Sequence, residues 1–363
     1  MKLVVLGLAL SSSWGNGHAT TYRALLKAFA ERGHDILFLE RDVPWYAAHR
    51  DLEPDFCRLA FYDDLAGLEA WRSEIAAADA VIVGSYVPEG AAIGDWVLTH
   101  ARGVKAFYDI DTPVTLANLQ AGPLDYLSAD LIPRYDLYLS FTGGPTLRRI
   151  ERDLGSPAAR ALYCSVDADL YRPIETAKRW DLSYLGTYSV DRQPILERLL
   201  LEPARAAPHL KFCVAGPQYP ADIAWPDNVE RIDHVGPAEH PAFYGASRFT
   251  LNVTRADMSA AGYSPSVRLF EAAACGAAII SDRWDGIETL FEPDHEIILA
   301  DDGAAVLAAL AAPVDLPRRI GQAGRQKILG AHTARHRVLE LERLLLAAAR
   351  APLSPPVAEV AHA

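Results

Sequence analysis

The chain has 363 residues, of which 50% are hydrophobic and 23% are charged, and its formal net charge at pH 7 is −12. This length favours two domains, each large enough to bury its own core, and the composition excludes global disorder. The acidic balance argues against a nucleic-acid partner, because nucleic-acid binders neutralise phosphates with a basic face.

The cysteines and the hydropathy pattern bear on the compartment. Cys57, Cys164, Cys213 and Cys275 are far apart and form neither a CxxC pair nor a zinc spacing, which predicts free thiols in a reducing cytoplasm and no metal site. The opening MKLVVLGLAL is followed by SSSWGNGH rather than a cleavage pattern, so we interpret it as a buried strand and not a signal peptide. No apolar run approaches the roughly 18 residues of a membrane span, which predicts no integral membrane segment.

Strands and amphipathic helices alternate through the first half of the chain. The predicted strands cover residues 3–8, 35–39, 80–83, 105–108 and 137–140. The predicted helices cover residues 20–32, 65–77, 93–100 and 144–153. This βαβ rhythm predicts a parallel sheet with helices on both faces.

The same rhythm starts again in the second half without repeating the sequence. The predicted strands cover residues 182–185, 211–215, 229–232, 249–253 and 277–280, and the predicted helices cover 194–201, 264–276, 303–311, 317–329 and 334–349. The extended segment 161–173, which contains a turn and a proline, is interpreted as the interdomain linker. We therefore predict two α/β domains, residues 1–162 and 163–333, with a cleft between them, followed by a helix over 334–350 and a frayed tail over 351–363.

The segment SPSVRLFEAAACG, residues 264–276, predicts a well-delimited helix. Ser264 is expected at the N-cap, Pro265 at the first helical position and Gly276 just after the last turn. The amino end of this helix would face the carboxyl end of the preceding strand, where open α/β sheets bind phosphorylated ligands. Arg268 and Glu271 share one helix face, where they either hold a ligand or form an ordinary surface ion pair.

The loop after the first strand carries a candidate base. Gly15 and Gly17 let the backbone approach a ligand, and His18 stands at the start of the next helix. The third glycine of the dinucleotide fingerprint is missing, which argues against a Rossmann dehydrogenase. A helix dipole disfavours the imidazolium, so His18 is either a neutral base or a capping and packing residue.

Acidic and aromatic residues follow two other strands. Asp109 and Asp111 come after the strand KAFY and are candidates to orient a histidine, accept a substrate proton or bind sugar hydroxyls. A metal site is disfavoured, because no third ligand is evident. Trp45 and Tyr46 lie close to acidic residues, a combination that suits sugar binding or ordinary loop packing.

Glycine-bearing loops follow the strands of the second half and would line one side of the cleft. Arg192, Arg255 and Arg268 are the candidates to neutralise a diphosphate. Each arginine alone is more often a solvated charge, whereas three on one rim favour an anion site. The other binding candidates are Gly17, Gly186, Thr187, Gly216, His234, Ser264, Ser266 and Glu271.

Five blocks carry a resemblance to a known family: residues 12–25, 33–46, 107–116, 184–194 and 251–291. Through them the chain resembles glycosyltransferases of the GT-B architecture, in which two Rossmann-like domains face a cleft. Within that architecture it resembles the bacterial CgeB-like (spore maturation protein) group, with a C-terminal donor domain of the retaining type (glycosyl transferases group 1). The resemblance spans nearly the whole chain.

The resemblance implies roles for several of these residues. Glu271 matches the glutamate that holds the nucleotide ribose, and the diphosphate would lie against the helix amino end, Ser266 and an arginine. Many retaining members carry a second glutamate eight positions earlier, where this chain has Tyr263, and several inverting members keep a base at the position of His18. The stereochemistry of transfer therefore stays open. The resemblance also implies that the final helix crosses back onto the first domain.

The implied function is transfer of a sugar from a nucleotide-diphosphate sugar to an acceptor hydroxyl, without a metal or another cofactor. The acceptor would be a sugar, a protein or a small molecule, and His18 or Asp111 would deprotonate or orient its hydroxyl. Two alternatives stay open, because fold does not determine function. They are a non-catalytic sugar-nucleotide sensor and a sugar-nucleotide epimerase.

Overall fold

The fold is described from a computed structural model over residues 1–15 and 17–350. The predicted tail, 351–363, lies outside the described residues.

The first sheet consists of seven parallel strands. They are β1 (Lys2–Gly7), β2 (Asp35–Arg41), β3 (Arg58–Tyr62), β4 (Ala80–Gly84), β5 (Val104–Asp109), β6 (Leu137–Ser140) and β7 (Ala159–Ala161). Central strands that are buried on both faces read as continuous apolar runs, which is why the sequence pattern locates them. The pattern missed β3 and β7, because β3 is largely unburied and β7 has only three residues.

Six helices accompany this sheet among the described residues. They are α1 (Gly17–Glu31), α2 (Pro44–Ala47), α3 (Arg72–Ala77), α4 (Gly90–His100), α5 (Thr112–Leu119) and α6 (Pro145–Leu154). Helix α1 begins three residues before its predicted start, so His18 lies in its first turn. The sequence analysis did not predict the short helices α2 and α5.

The second sheet has six parallel strands. They are β8 (Trp180–Leu185), β9 (Phe212–Ala215), β10 (Val229–Ile232), β11 (Ser247–Asn252), β12 (Ala278–Ser281) and β13 (Ile298–Leu299). The predicted linker, 161–173, begins at the last residue of β7 and ends before β8. Two parallel sheets with flanking helices confirm the predicted fold class.

The helices of the second half complete the fold. They are α7 (Gln193–Leu196), α8 (Glu202–Ala206), α9 (His240–Gly245), α10 (Ala256–Ala261), α11 (Val267–Ala274), α12 (Gly303–Ala311), α13 (Leu316–Ala331) and α14 (Ala334–Arg350). Helix α14 packs against α1, and Glu342 accepts hydrogen bonds from Arg32 Nη2 at 2.8 Å and contacts His34 Nε2 at 2.6 Å. The last helix therefore contacts the first domain, as the resemblance implies.

The amino end of α11 differs from its prediction. The helix begins at Val267, with Ser266 as its N-cap residue, so the prediction that Ser264 caps it is wrong. The buried Ser264 hydroxyl instead shares a hydrogen bond of 2.7 Å with the Thr142 hydroxyl. Gly276 has a φ of 72°, as predicted for the residue that follows the helix.

The strand order of each sheet places a ligand site. The order is β3-β2-β1-β4-β5-β6-β7 in the first sheet and β10-β9-β8-β11-β12-β13 in the second. In each sheet the connections change direction at a central pair, β1 with β4 and β8 with β11. Ligands of open parallel sheets bind outside the carboxyl ends of the strands at such a pair. The loops after these four strands line one common cleft.

Among residues 1–15 and 17–350, no helix combines the length and the apolar character needed to cross a membrane. Within the same ranges, no three His, Cys, Asp or Glu side chains form a group that could hold a metal ion. The four cysteines are free thiols, and three of them are buried.

Candidate functional site

A cleft with a volume of about 830 Å³ lies between the carboxyl ends of the two sheets. It brings together most of the residues that the sequence analysis selected. These are Gly17, His18, Asp111, Gly186, Thr187, Arg192, Gly216, His234, Arg255, Ser266, Arg268 and Glu271. Two selected residues, Asp109 and Ser264, do not line it.

His18 and Asp111 lie next to each other on the first-domain side of the cleft. His18 is in the first turn of α1 and Asp111 is the N-cap residue of α5, and His18 Nε2 is 4.0 Å from Asp111 Oδ2. Burial lowers the pKa of His18; the Asp111 charge opposes this shift and the Arg255 charge adds to it. The imidazole is therefore neutral at pH 7, the state in which it can accept a proton from a hydroxyl.

Asp109 has a structural role, which corrects its selection as a catalytic candidate. Its fully buried carboxylate accepts hydrogen bonds from the Tyr138 hydroxyl at 2.6 Å and the Thr115 hydroxyl at 2.9 Å. Burial raises the pKa of Asp109 to about 6. Because Asp109 ends β5 while Asp111 follows the strand, only Asp111 reaches the cleft. Asp109 thus ties β5 to β6 and α5.

Asp111 has partners from both domains. The Tyr86 hydroxyl donates to Asp111 Oδ2 at 3.2 Å, and Arg255 Nη1 lies 3.4 Å from the same oxygen. Arg255 Nε also contacts Asp191 Oδ2 at 3.5 Å, so this arginine bridges an acid of each domain. The sequence analysis selected Arg255 but missed Tyr86 and Asp191. The sequence signal for these two residues was their position: each is a polar residue in the loop after a strand, Tyr86 after β4 and Asp191 after β8.

Glu271 forms the opposite part of the cleft. This buried carboxylate lies on α11, and its Oε2 atom is 3.4 Å from Nδ1 of His240. Its neighbour is therefore His240 rather than Arg268, and the alternative of a surface ion pair between Arg268 and Glu271 is wrong. The sequence analysis missed His240, which begins α9 after the loop that follows β10. The sequence signal for His240 was that it directly precedes a proline at the end of that loop, where a helix starts.

The arginines of the second domain differ in whether their N–H groups already have partners within the protein. Arg268 donates to the Leu185 carbonyl at 2.6 Å and to Asn252 Oδ1 at 3.0 Å, and its guanidinium lies over the Tyr184 ring. The Nε of Arg192 is buried and has no hydrogen-bond partner among the described residues. A buried guanidinium N–H without a partner is suited to bind an anion in the cleft. Arg192 is thus a better anion ligand than Arg268.

Two glycines permit close contact of the loops after β8 and β9. Gly216 has a φ of 138°, and a Cβ atom on it would lie 2.1 Å from the Gly186 carbonyl oxygen. The contacted atom belongs to the backbone and cannot rotate away. Both loops line the second-domain side of the cleft. Glycine at position 216 therefore fixes the shape of this surface.

We expect Gly216→Ala to destabilise the fold by about 1–3 kcal/mol, the usual cost of forcing extra volume into a packed site, and to weaken nucleotide binding. The matched control is Gly236→Ala, since Gly236 has a φ of −72° and a Cβ there would meet Glu239 Oε2 only at 3.5 Å. Denaturant unfolding and calorimetric nucleotide titration measure both effects. Equal stability of the two variants would contradict the assigned contact.

Tyr263 occupies the position eight residues before Glu271, and its ring lies at a domain junction. A Cβ on Gly144 or on Gly286 would lie 2.5 Å from this ring. The Gly143 amide donates to the Tyr263 carbonyl at 2.9 Å, and Tyr263 has a φ of 51°. Tyr263 does not line the cleft. It instead joins the segment before α11 to the first-domain loop that contains Gly144.

The sequence of the second half is similar to a known family. Residues 192–343 match a family model described as Glycosyl transferase-like. The matched range includes the loops that carry Arg192, Gly216, His234, Arg255 and Glu271. No curated protein sequence matches the chain.

Solved structures share the fold of the whole chain. Sucrose-phosphate synthase from Thermosynechococcus elongatus is 15% identical with a TM-score of 0.70, covering 96% of this chain and 100% of its own. Anabaena Alr3699/HepE in complex with UDP-glucose is 12% identical with a TM-score of 0.71 and the same coverage. An alpha-glucosyltransferase in complex with UDP and a 13-mer DNA is 12% identical with a TM-score of 0.70, covering 95% of this chain and 99% of its own.

The fold match and the family match cover different lengths of the chain. It has the GT-B architecture, with two Rossmann-like α/β domains around a cleft. Its second half is glycosyl transferase-like in sequence. The fold is therefore shown for the whole chain, and the glycosyl transferase-like match is shown for residues 192–343.

Proposed function

We propose that this protein transfers a sugar from a nucleoside-diphosphate sugar to an acceptor hydroxyl. The observation that carries the proposal is that the His18–Asp111 pair and the Glu271 carboxylate line one cleft from opposite domains. A buried carboxylate can accept hydrogen bonds from the two ribose hydroxyls. The neutral imidazole and its neighbouring carboxylate can accept the proton that the acceptor hydroxyl loses.

The diphosphate has donors available in the same half of the cleft. Arg192 and the amino end of α11 lie on the cleft surface; Ser266 lies there too, but its hydroxyl already donates to Asn252 Oδ1 at 2.7 Å. Fixed donors of this kind stabilise the negative charge that develops on a leaving diphosphate. Metal-independent transfer is part of the proposal, because these donors can bear the charge that a divalent ion would otherwise balance.

We also propose the finer classification as a CgeB-like protein with a group 1 type donor domain. Its support is the segment 263–276, in which Glu271 takes the position of the ribose-binding glutamate on α11. This classification depends on the ribose contact, so the Glu271 substitution described in the Discussion tests it. Unchanged nucleotide affinity in that variant would remove its support.

A donor screen in the presence of EDTA tests the proposed function. We expect at least one of the UDP, GDP, dTDP and CDP sugars to raise the unfolding temperature, because a ligand that binds only the folded state stabilises it. With that donor and an acceptor extract, EDTA should leave the yield of glycosylated product unchanged. Activity that EDTA abolishes and Mg²⁺ restores would reject metal independence. Binding of none of these donors would reject the function itself.

A further inference from the structure

The two halves of the cleft differ in charge. The described first-domain residues on its surface include no Lys or Arg, and the guanidinium groups come from Arg192, Arg255 and Arg268 of the second domain. Two first-domain arginines that do not line the cleft are paired with acids, Arg41 with Glu89 and Arg50 with Asp42. The first-domain side is thus suited to an uncharged acceptor and not to a phosphorylated one.

This side of the cleft also exposes aromatic surface. Trp45 is 54% exposed and Tyr46 lies beside it, with their ring centroids 6.2 Å apart; both line the cleft. The hydroxyls of Ser13 and Thr20 line the same side. A large exposed indole next to hydroxyl groups matches a ligand that has both an apolar face and hydroxyls.

Trp45 and Tyr46 belong to the segment 43–52, which is braced by the loop 10–15; we call these two segments together the acceptor wall. The buried Glu40 carboxylate accepts hydrogen bonds from the Leu10 amide at 2.7 Å and the Ser11 amide at 2.9 Å. The Ser12 hydroxyl donates to the His49 carbonyl at 2.9 Å. These hydrogen bonds between described residues hold the two segments of the acceptor wall in one arrangement before any ligand binds. This lowers the entropic cost of binding.

We infer that the acceptor is a carbohydrate whose ring stacks on Trp45 with a hydroxyl directed towards the His18–Asp111 pair. This inference rests on the proposed transfer reaction and names its second substrate class. A sugar ring supplies the C–H face for the indole and neutral hydroxyls for the polar side chains. A nucleic acid would need cations on this side, and a lipid chain would need a continuous apolar groove where Ser13, Thr20 and Asp111 interrupt the surface.

The test measures saccharide binding directly, with and without saturating UDP. The probes are methyl glycosides of glucose, galactose, mannose and N-acetylglucosamine, together with maltose and cellobiose, followed by tryptophan fluorescence and saturation-transfer NMR. We expect at least one probe to bind saturably through its ring protons. Trp45→Ala should weaken this binding about tenfold, which corresponds to about 1.4 kcal/mol. Trp45→Phe should retain most of the binding, because it keeps an aromatic ring at this position.

The control variant is Leu339→Ala, which removes an equally exposed apolar side chain on α14. It should bind the saccharide as the unmodified protein does, and melting curves should show all three variants folded. The inference is overturned if UDP binds and no saccharide does, if Trp45→Ala retains full affinity, or if a 13-mer DNA displaces the saccharide. Saccharide binding without binding of any nucleotide would support the acceptor site and reject the transfer function.

Discussion

Replacing His18 with alanine should reduce kcat by about 10²–10⁴-fold, the usual contribution of a positioned general base. Nucleotide affinity should change less than about twofold, because the candidate donor ligands Arg192 and Glu271 belong to the other side of the cleft. Steady-state kinetics with the donor found by the screen, together with calorimetric titration of the nucleotide, separates the two effects. His209→Ala is the control, since His209 is an exposed histidine in the second half of the chain.

The pH profile provides a readout that a merely structural role would not produce. Burial lowers the pKa of His18 below its usual 6.5, so the neutral base persists until the pH falls below that value. We therefore expect kcat/KM to stay level between pH 7 and pH 6.5 and to decline only at lower pH. The Asp111 charge raises this pKa, so Asp111→Asn should move the decline to still lower pH. Full activity of His18→Ala would assign the proton to another acceptor, with Asp111 the first to examine.

Replacing Glu271 with alanine should weaken binding of UDP, or of whichever nucleotide the screen identifies, by at least about 100-fold. Hydrogen bonds to a charged group contribute about 1.5–3 kcal/mol each, and the carboxylate is placed to accept two from the ribose. The side chain is buried and lies 3.4 Å from His240, so its loss also leaves that histidine without its acidic partner. Isothermal titration measures the change in Kd.

The matched control is Glu288→Ala, because Glu288 is an exposed acid of the same domain. Deoxy-UDP, which lacks one ribose hydroxyl, identifies the contact itself. If Glu271 binds the ribose, the unmodified protein should prefer UDP to deoxy-UDP, and Glu271→Ala should bind both alike. An unchanged Kd for UDP in this variant would disprove the ribose contact, and a preserved preference for UDP would place the contact elsewhere.

Only the fold shows the structural role of Tyr263. From the sequence, Tyr263 was a departure from a family pattern, eight positions before Glu271. In the structure its ring fits between Gly144 and Gly286, and the following Ser264 shares a hydrogen bond with Thr142. The segment that leads into the donor helix is thus attached to the first domain. Such a contact depends on residues more than 100 positions apart, which no local pattern reveals.

The corrections share one cause, which is that local patterns do not report long-range partners. Asp109 and Asp111 are two residues apart and looked equivalent, yet a buried hydroxyl from Tyr138 on the neighbouring strand holds only Asp109. Ser264 was predicted as the cap of α11, but Ser266 is the N-cap residue. The Ser264 side chain instead contacts the distant Thr142 at the junction.

The sequence by itself determined the elements that depend on local physics. Buried parallel strands must be apolar along their length, and helices need capping and breaking residues. Polar loops after strands mark a binding edge. These patterns located most strands, the cleft and residues such as His18, Arg192 and Glu271. The tertiary structure alone decided which polar residues face the cleft and which are buried as structural ties. It also decided the pairings of Glu271 with His240 and of Arg255 with two acids. The physical reason is that burial, desolvation and charge pairing depend on neighbours brought together by folding.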